Sequence, residues 1–130
     1  MKILTKFADK CIIVRIPIGK EERENLFEAT RRCWRASLKR ARKADYLLGT
    51  IDGEILCVIK IASCNYASSE FCKKEKIECK EKFGVNIKLC ENKKRIIFEG
   101  INLKDDKKYL GKILPSEYIP RQMPIRYTYL

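Results

Sequence analysis

The sequence contains no histidine. That absence excludes Ser-His-Asp and Cys-His nucleophilic sites, His-ligated zinc and imidazole proton shuttles, leaving only chemistries built on Lys, Tyr, Asp or Glu. Its seven cysteines, at positions 11, 33, 57, 64, 72, 79 and 90, include no C-x-x-C pair. A structural zinc site needs two close ligand pairs, so this spacing predicts no metal site. Cys11, Cys33 and Cys57 lie in apolar runs, where a free thiol behaves as a small buried hydrophobe. No apolar run approaches the roughly 20 residues that span a bilayer. Met1–Lys10 is mixed in polarity and does not read as a signal peptide. The expectation is a cytoplasmic protein with reduced thiols and no transmembrane segment, cofactor or metal.

What the chain has in excess is positive charge. Its 130 residues carry 29 Lys and Arg against 17 Asp and Glu, a formal net charge of +12. Each half is net +6, with 14 basic and 8 acidic side chains in residues 1–65 and 15 and 9 in 66–130, so no detachable basic tail accounts for the excess. Within that even distribution one segment stands apart. Arg31, Arg32, Arg35, Lys39, Arg40, Arg42 and Lys43 fall in thirteen residues with no acid among them. Such a strip attracts polyanions, nucleic acid first and an anionic membrane surface second.

Hydrophobic patterning predicts an α+β, mostly β chain folded as a single domain over residues 1–130. Cys11–Ile16 has the β-branched density of a buried strand. An amphipathic helix is expected from Lys20 to about Trp34, with Leu26, Phe27, Thr30, Cys33 and Trp34 on one side. Ser37 caps a second, short helix that ends near Lys43 and turns Leu38, Ala41 and Ala44 inward. Asp52-Gly53 marks a hairpin between Tyr46–Ile51 and Glu54–Ser63, in which Gly49 leaves room for close packing. Residues 64–83 read as a loop with a short helix. Strands are expected at Val85–Cys90 and Arg95–Gly100 around a Glu91–Lys94 turn, and the Ile125–Tyr129 segment closes the sheet. The prediction is a small β-barrel of five to seven strands with an amphipathic helix after the first.

Several of these pieces together resemble a known group. Leu26–Arg35, which contains Thr30-Arg31-Arg32-Cys33-Trp34, is followed by Ala44-Asp45-Tyr46, Asp52-Gly53, Phe98-Glu99-Gly100, Tyr109-Leu110-Gly111-Lys112 and Met123–Tyr127. This order is similar to a group of small bacterial domains and, more broadly, resembles the PUA-like superfamily with its EVE and ASCH branches. The resemblance implies a PUA-like β-barrel that binds RNA or DNA, in some members gripping a modified or flipped base.

On that basis the expected function is a nucleic-acid-binding module. Arg31, Arg32, Arg35, Lys39, Arg40, Arg42 and Lys43 would hold a strand, with Trp34, Tyr46, Gln122 and Arg126 as pocket candidates. Guanidinium groups suit phosphate because they donate in pairs, and an aromatic ring can stack an unpaired base. Three readings stay open beside it. Trp34 can instead pack in the core, Arg31 can bridge to a sheet carboxylate such as Glu99, and Arg126 can tie the tail to the barrel. Gly111-Lys112 lacks the remaining residues of a nucleotide-binding P-loop. No catalytic residue is assigned, although a Lys or Tyr acting with Asp45 or Glu99 marks where an enzyme would begin. The alternative functions are a protein-interaction or defence–counterdefence factor using the same basic face against an acidic protein, and a small-ligand or nucleic-acid enzyme.

Overall fold

The computed structural model describes residues 2–17, 25–32, 34–84, 92–120 and 122–129. The expected strand at Val85–Cys90, the beginning of the expected first helix at residues 20–24, and Cys33 lie outside them. The described chain is mostly β. Six strands, β1 (Cys11–Arg15), β2 (Trp34–Arg35), β3 (Tyr46–Ile51), β4 (Glu54–Ala67), β5 (Asn92–Asn102) and β6 (Ile125–Tyr127), form one nearly closed, barrel-like sheet in the order β2-β5-β4-β3-β1-β6. β1 and β3 pair in parallel, and every other pairing is antiparallel. Among the described residues three α-helices accompany the sheet: α1 (Leu26–Arg31), α2 (Leu38–Ala41) and α3 (Ser69–Phe83). No helix among the described residues is long and apolar enough to cross a membrane.

The β1 segment and the β3–β4 hairpin follow from local chemistry. Asp52 and Gly53 both take positive φ, 50° and 82°, as a two-residue turn matched to strand twist requires. One detail departs from simple alternation. Gly49 pairs with Cys57 but Thr50 pairs with Ile55, so Leu56 is an extra residue in β4. This bulge puts Ile55 on the opposite face from Cys57, as an inserted residue must. Both faces of the sheet are consequently buried. Ile12, Val14, Leu47, Cys57, Ile59, Cys64, Ile96, Phe98 and Ile125 form an inner core with Trp34, Leu38 and Ala41. Cys11, Ile13, Leu48, Ile55 and Val58 pack on the outer face beneath Leu4, Tyr109 and Leu114.

Several expected boundaries are corrected, among them that of β5, which runs from Asn92 to Asn102 where a turn was expected to last until Lys94. The first helix stops at Arg31. Arg32 takes extended dihedrals (φ −138°, ψ 161°), and Trp34 is a strand residue paired with Ile96 rather than part of the helix. β4 runs on to Ala67, past the expected end at Ser63. Residues 69–83 form a 15-residue helix where a loop with a short helix was expected. Its described buried side chains, Cys72, Glu75 and Cys79, include no large apolar residue, so they give no hydrophobic periodicity to reveal it.

α1 meets the sheet through a glycine. A Cβ at Gly49 would lie inside contact distance of Thr30 Oγ1 and 2.8 Å from Thr30 Cγ2. The close approach anticipated for Gly49 is therefore made by Thr30. Gly100 has a tighter constraint, because a Cβ there would run into the Lys60 backbone carbonyl and lie 2.8 Å from Ile59 Cγ2. Overpacking of this kind costs about 1–3 kcal/mol. Gly49→Ala and Gly100→Ala are each expected to lower the unfolding free energy by that amount, read as a lower urea midpoint with the m-value unchanged. A neutral Gly100→Ala would show that β4 and β5 do not approach as described.

Candidate functional site

The basic run divides into two populations. Arg31 and Arg32 project inward, at 7% and 1% exposure. Glu28, fully buried one turn earlier on α1, lies 3.1 Å from Arg31 Nε and 2.7 Å from Arg32 Nη2 through its Oε2. Arg31 also pairs with Glu75 of α3 and donates to the Phe98 carbonyl at 3.0 Å. The expectation that these two arginines join an acid-free exposed strip is corrected: they are neutralised inside the molecule. Their spacing is the reason, since residues three and four beyond Glu28 return to its side of the helix. The structural reading of Arg31 holds in altered form. Its carboxylates are Glu28 and Glu75, and its sheet contact is the carbonyl that precedes Glu99.

The same cluster brings together residues that the sequence does not connect. Glu28, Glu75 and Cys79 place ligand atoms within 4.8 Å of one another and are the described group that could hold a metal. Two guanidinium groups already balance the two carboxylates. Burial, followed by the charge of Glu28, pushes the Cys79 thiol up to about 11, so it is a neutral donor to Glu28 Oε2 at 3.3 Å. The cluster has the charge balance of a structural ion network that fastens α1 to α3 and β5.

The remaining basic residues collect where the sheet fails to close. β2 and β6 are its two edges, and no ladder joins them among the described residues. α2 follows β2 after two residues. The Ser37 hydroxyl accepts from the Arg40 amide, as expected of its cap, and Leu38 and Ala41 are buried in the inner core. Arg40 ties this helix to the segment at the far edge. Its guanidinium lies 3.8 Å from the centroid of the Tyr127 ring, and its Nη2 donates to the Tyr129 carbonyl at 3.0 Å. In return the Tyr129 hydroxyl donates to the Arg40 carbonyl at 2.7 Å.

A groove of about 650 Å³ runs beside this contact, lined by Arg40, Gln122, Met123, Ile125, Arg126 and Tyr127. None of these is acidic. Gln122, Met123 and Arg126 are exposed, as are Lys39, Arg42 and Lys43 on and just after α2. Arg35 is exposed on β2, directly opposite Arg95 in the β2–β5 ladder. No ion pair to a carboxylate involves Arg35, Lys39, Arg40, Arg42, Lys43 or Arg126 among the described residues. Arg42 instead interacts with the Cys64 thiol, whose pKa is raised by burial and drawn back by that guanidinium.

Of the four pocket candidates, Gln122 and Arg126 line the groove and the two aromatics do not. Trp34 is 5% exposed in the inner core, where its Nε1 donates to the Thr30 carbonyl at 2.7 Å. Tyr46 packs with the outer-face cluster, edge-on to Tyr109 with ring centroids 6.0 Å apart. Sequence reasoning missed Tyr127 and Tyr129 as partners of Arg40. Their only local signal is the alternation that marked Ile125–Tyr129 as a strand.

Comparison with known proteins yields no match to a family model, a curated protein or a solved structure.

Two outcomes test this geometry. Removing one partner of a buried ion pair strands the other charge and costs about 3–5 kcal/mol. Glu75→Ala should therefore destabilise the fold by that amount in urea. Glu78→Ala, on the exposed Lys74–Glu78 pair of the same helix, should cost under about 0.5 kcal/mol. Burial also pushes the Cys11 thiol up to about 12. A raised thiol pKa leaves little thiolate at pH 8, so iodoacetamide should label Cys11 and Cys79 only as the protein unfolds. Rapid native-state labelling of either, read by peptide mass spectrometry, would contradict the burial described.

Proposed function

We propose that this chain is a nucleic-acid-binding module that grips a strand by its phosphates along the open seam of the sheet. One observation carries the reading. Arg40 and Arg126, from α2 and the opposite sheet edge, line a groove with no acid among its described lining residues, and neither they nor the exposed Lys39, Arg42 and Lys43 on and just after α2 have a carboxylate partner among the described residues. Surface charges of a soluble protein are ordinarily interspersed by sign. A patch of one sign raises the local concentration of a polyanion and supplies the counterion release that dominates its affinity. Kinship with the PUA-like domains belongs to the same proposal, supported by the motifs quoted above and by a mostly β, barrel-like sheet.

Phosphate contacts position a polymer without reading its sequence. The rings of the two aromatic candidates and of the groove are already engaged: Trp34 in the core, Tyr46 against Tyr109, Tyr127 beneath Arg40. A flipped-base pocket built on Trp34 and Tyr46 is therefore not part of the reading. Gln122 and Arg126 are the groove residues left to touch a base edge.

The test is the salt dependence of oligonucleotide affinity, followed by fluorescence anisotropy. Each neutralised phosphate contact contributes about 0.7–0.9 to the slope of log K against log salt. Lys39→Glu, Arg42→Glu and Lys43→Glu combined should weaken binding at least about tenfold and lower the slope by about 2. Arg32→Met, inside the ion cluster, should alter stability while leaving the slope unchanged. Affinity indifferent to salt and to the triple substitution would overturn the reading, and an acidic protein that binds where oligonucleotides do not would replace it.

A further inference from the structure

The groove beside α2 contains an arginine whose hydrogen-bonding capacity is incompletely used. Arg40 is immobilised from two sides, with its plane over Tyr127 at 3.8 Å and Nη2 committed to the Tyr129 carbonyl at 3.0 Å. Its Nε is buried and meets no hydrogen-bond partner among the described residues. A buried N–H without an acceptor is costly, more so on a charged group, and no carboxylate among the described residues lines the groove to accept from it. Among the described residues the cation is thus held in a fixed orientation with no carboxylate partner and with no acceptor for its Nε–H.

We infer that the groove is a phosphate-binding site, with Arg40 as its anchor and Arg126 and the Gln122 amide as its outer donors; the nucleic-acid source of that phosphate rests on the strand-binding reading above. A guanidinium presents paired N–H donors that match two phosphate oxygens, which a lysine cannot do. Because Tyr127 and Tyr129 already fix Arg40, little of its side-chain freedom is left to lose on binding, the usual advantage of a preorganised site. The volume of about 650 Å³ falls in the range of small-molecule pockets and admits a whole nucleotide, so the phosphate can belong to the interior of a strand or to its end.

The experiment follows the Arg40 Nε–H resonance by ¹⁵N NMR in the full chain, titrated with inorganic phosphate and with chloride at matched ionic strength. Phosphate should move the resonance saturably, and chloride should not. Arg126→Ala, at an exposed position, should weaken the phosphate effect at least about fivefold with the remaining spectrum unchanged. Arg40→Lys should abolish saturable phosphate binding, and because Arg40 also seals the seam, Arg126→Ala keeps the test valid where that variant fails to fold. Short single strands with and without a 5′-phosphate separate the sources. Preference for the phosphorylated strand identifies a strand end, and equal binding with the same Arg40 shift identifies an internal phosphate. An Arg40 resonance unmoved by phosphate, or moved equally by chloride, overturns the inference. If oligonucleotides still bind in that case, the strand-binding reading survives it. Conversely, a phosphate response without oligonucleotide binding retires the strand-binding reading and leaves the site.

Discussion

A single carboxylate with no exposed surface, that of Glu28, determines which of the basic residues the molecule can present to a partner. One of its oxygens faces Arg31 Nε and Arg32 Nη2 at once. Away from water an unpaired guanidinium is penalised by several kcal/mol, so these arginines enter the interior only because Glu28, and for Arg31 also Glu75, accompany them. The connection does more than neutralise charge. Through Glu75 it fastens α3, whose buried positions offer cysteine and glutamate in place of leucine, and through the Phe98 carbonyl it reaches β5. An interior held in this way is specified by geometry, because a slipped helix would separate the charges.

The seam poses the opposite problem. Among the described residues, β2 and β6 have no partner on their outer edges, leaving backbone groups that a closed barrel would satisfy by a further ladder. Here a helix of four residues spans the gap, apolar below through Leu38 and Ala41 and fixed at its rim by Arg40 on Tyr127 and Tyr129. A leucine at position 40 could cover the same tyrosine ring. An arginine covers it with its flat face and leaves a charge at the edge of the groove. Glu28 thus removes two arginines from the exterior, while the tyrosine pair holds a third, half-buried and with no carboxylate partner among the described residues, beside the groove.

How much of this was legible in the sequence depends on the range of each interaction. Ser37 capping α2, the Asp52-Gly53 turn and the density of Cys11–Ile16 are local, and each lies where its chemistry indicates. Trp34 shows the limit of periodicity. Spaced four residues from Thr30, it fits one side of a helix, yet the extended backbone at Arg32 carries it into a strand that also faces inward. Burial alone does not distinguish those two routes. α3 was hidden for the reverse reason, since a stripe of Cys72, Glu75 and Cys79 has no apolar signature until Arg31 arrives as partner to the glutamate. At the site, Gln122 and Arg126 were identifiable from residue type. The embrace of Arg40 by Tyr129 was not, because 89 residues separate them and nothing in the local pattern of either points to the other.

The distribution of aromatic rings bounds what such a surface can discriminate. Reading a base by stacking requires a ring with one face open, and Tyr127 is covered on one face by Arg40 and met edge-on by Tyr129, with ring centroids 5.6 Å apart. Donors, by contrast, are plentiful along α2 and β6, and they lie on side chains long enough to follow a flexible backbone. Donor-rich, ring-poor surfaces recognise charge spacing and leave sequence unread. The Gln122 amide, beside Met123 in the groove's lining, has both a donor and an acceptor to offer. Any preference among bases at this site would have to arise there or at Arg126, and it would be superimposed on an affinity already set by phosphate.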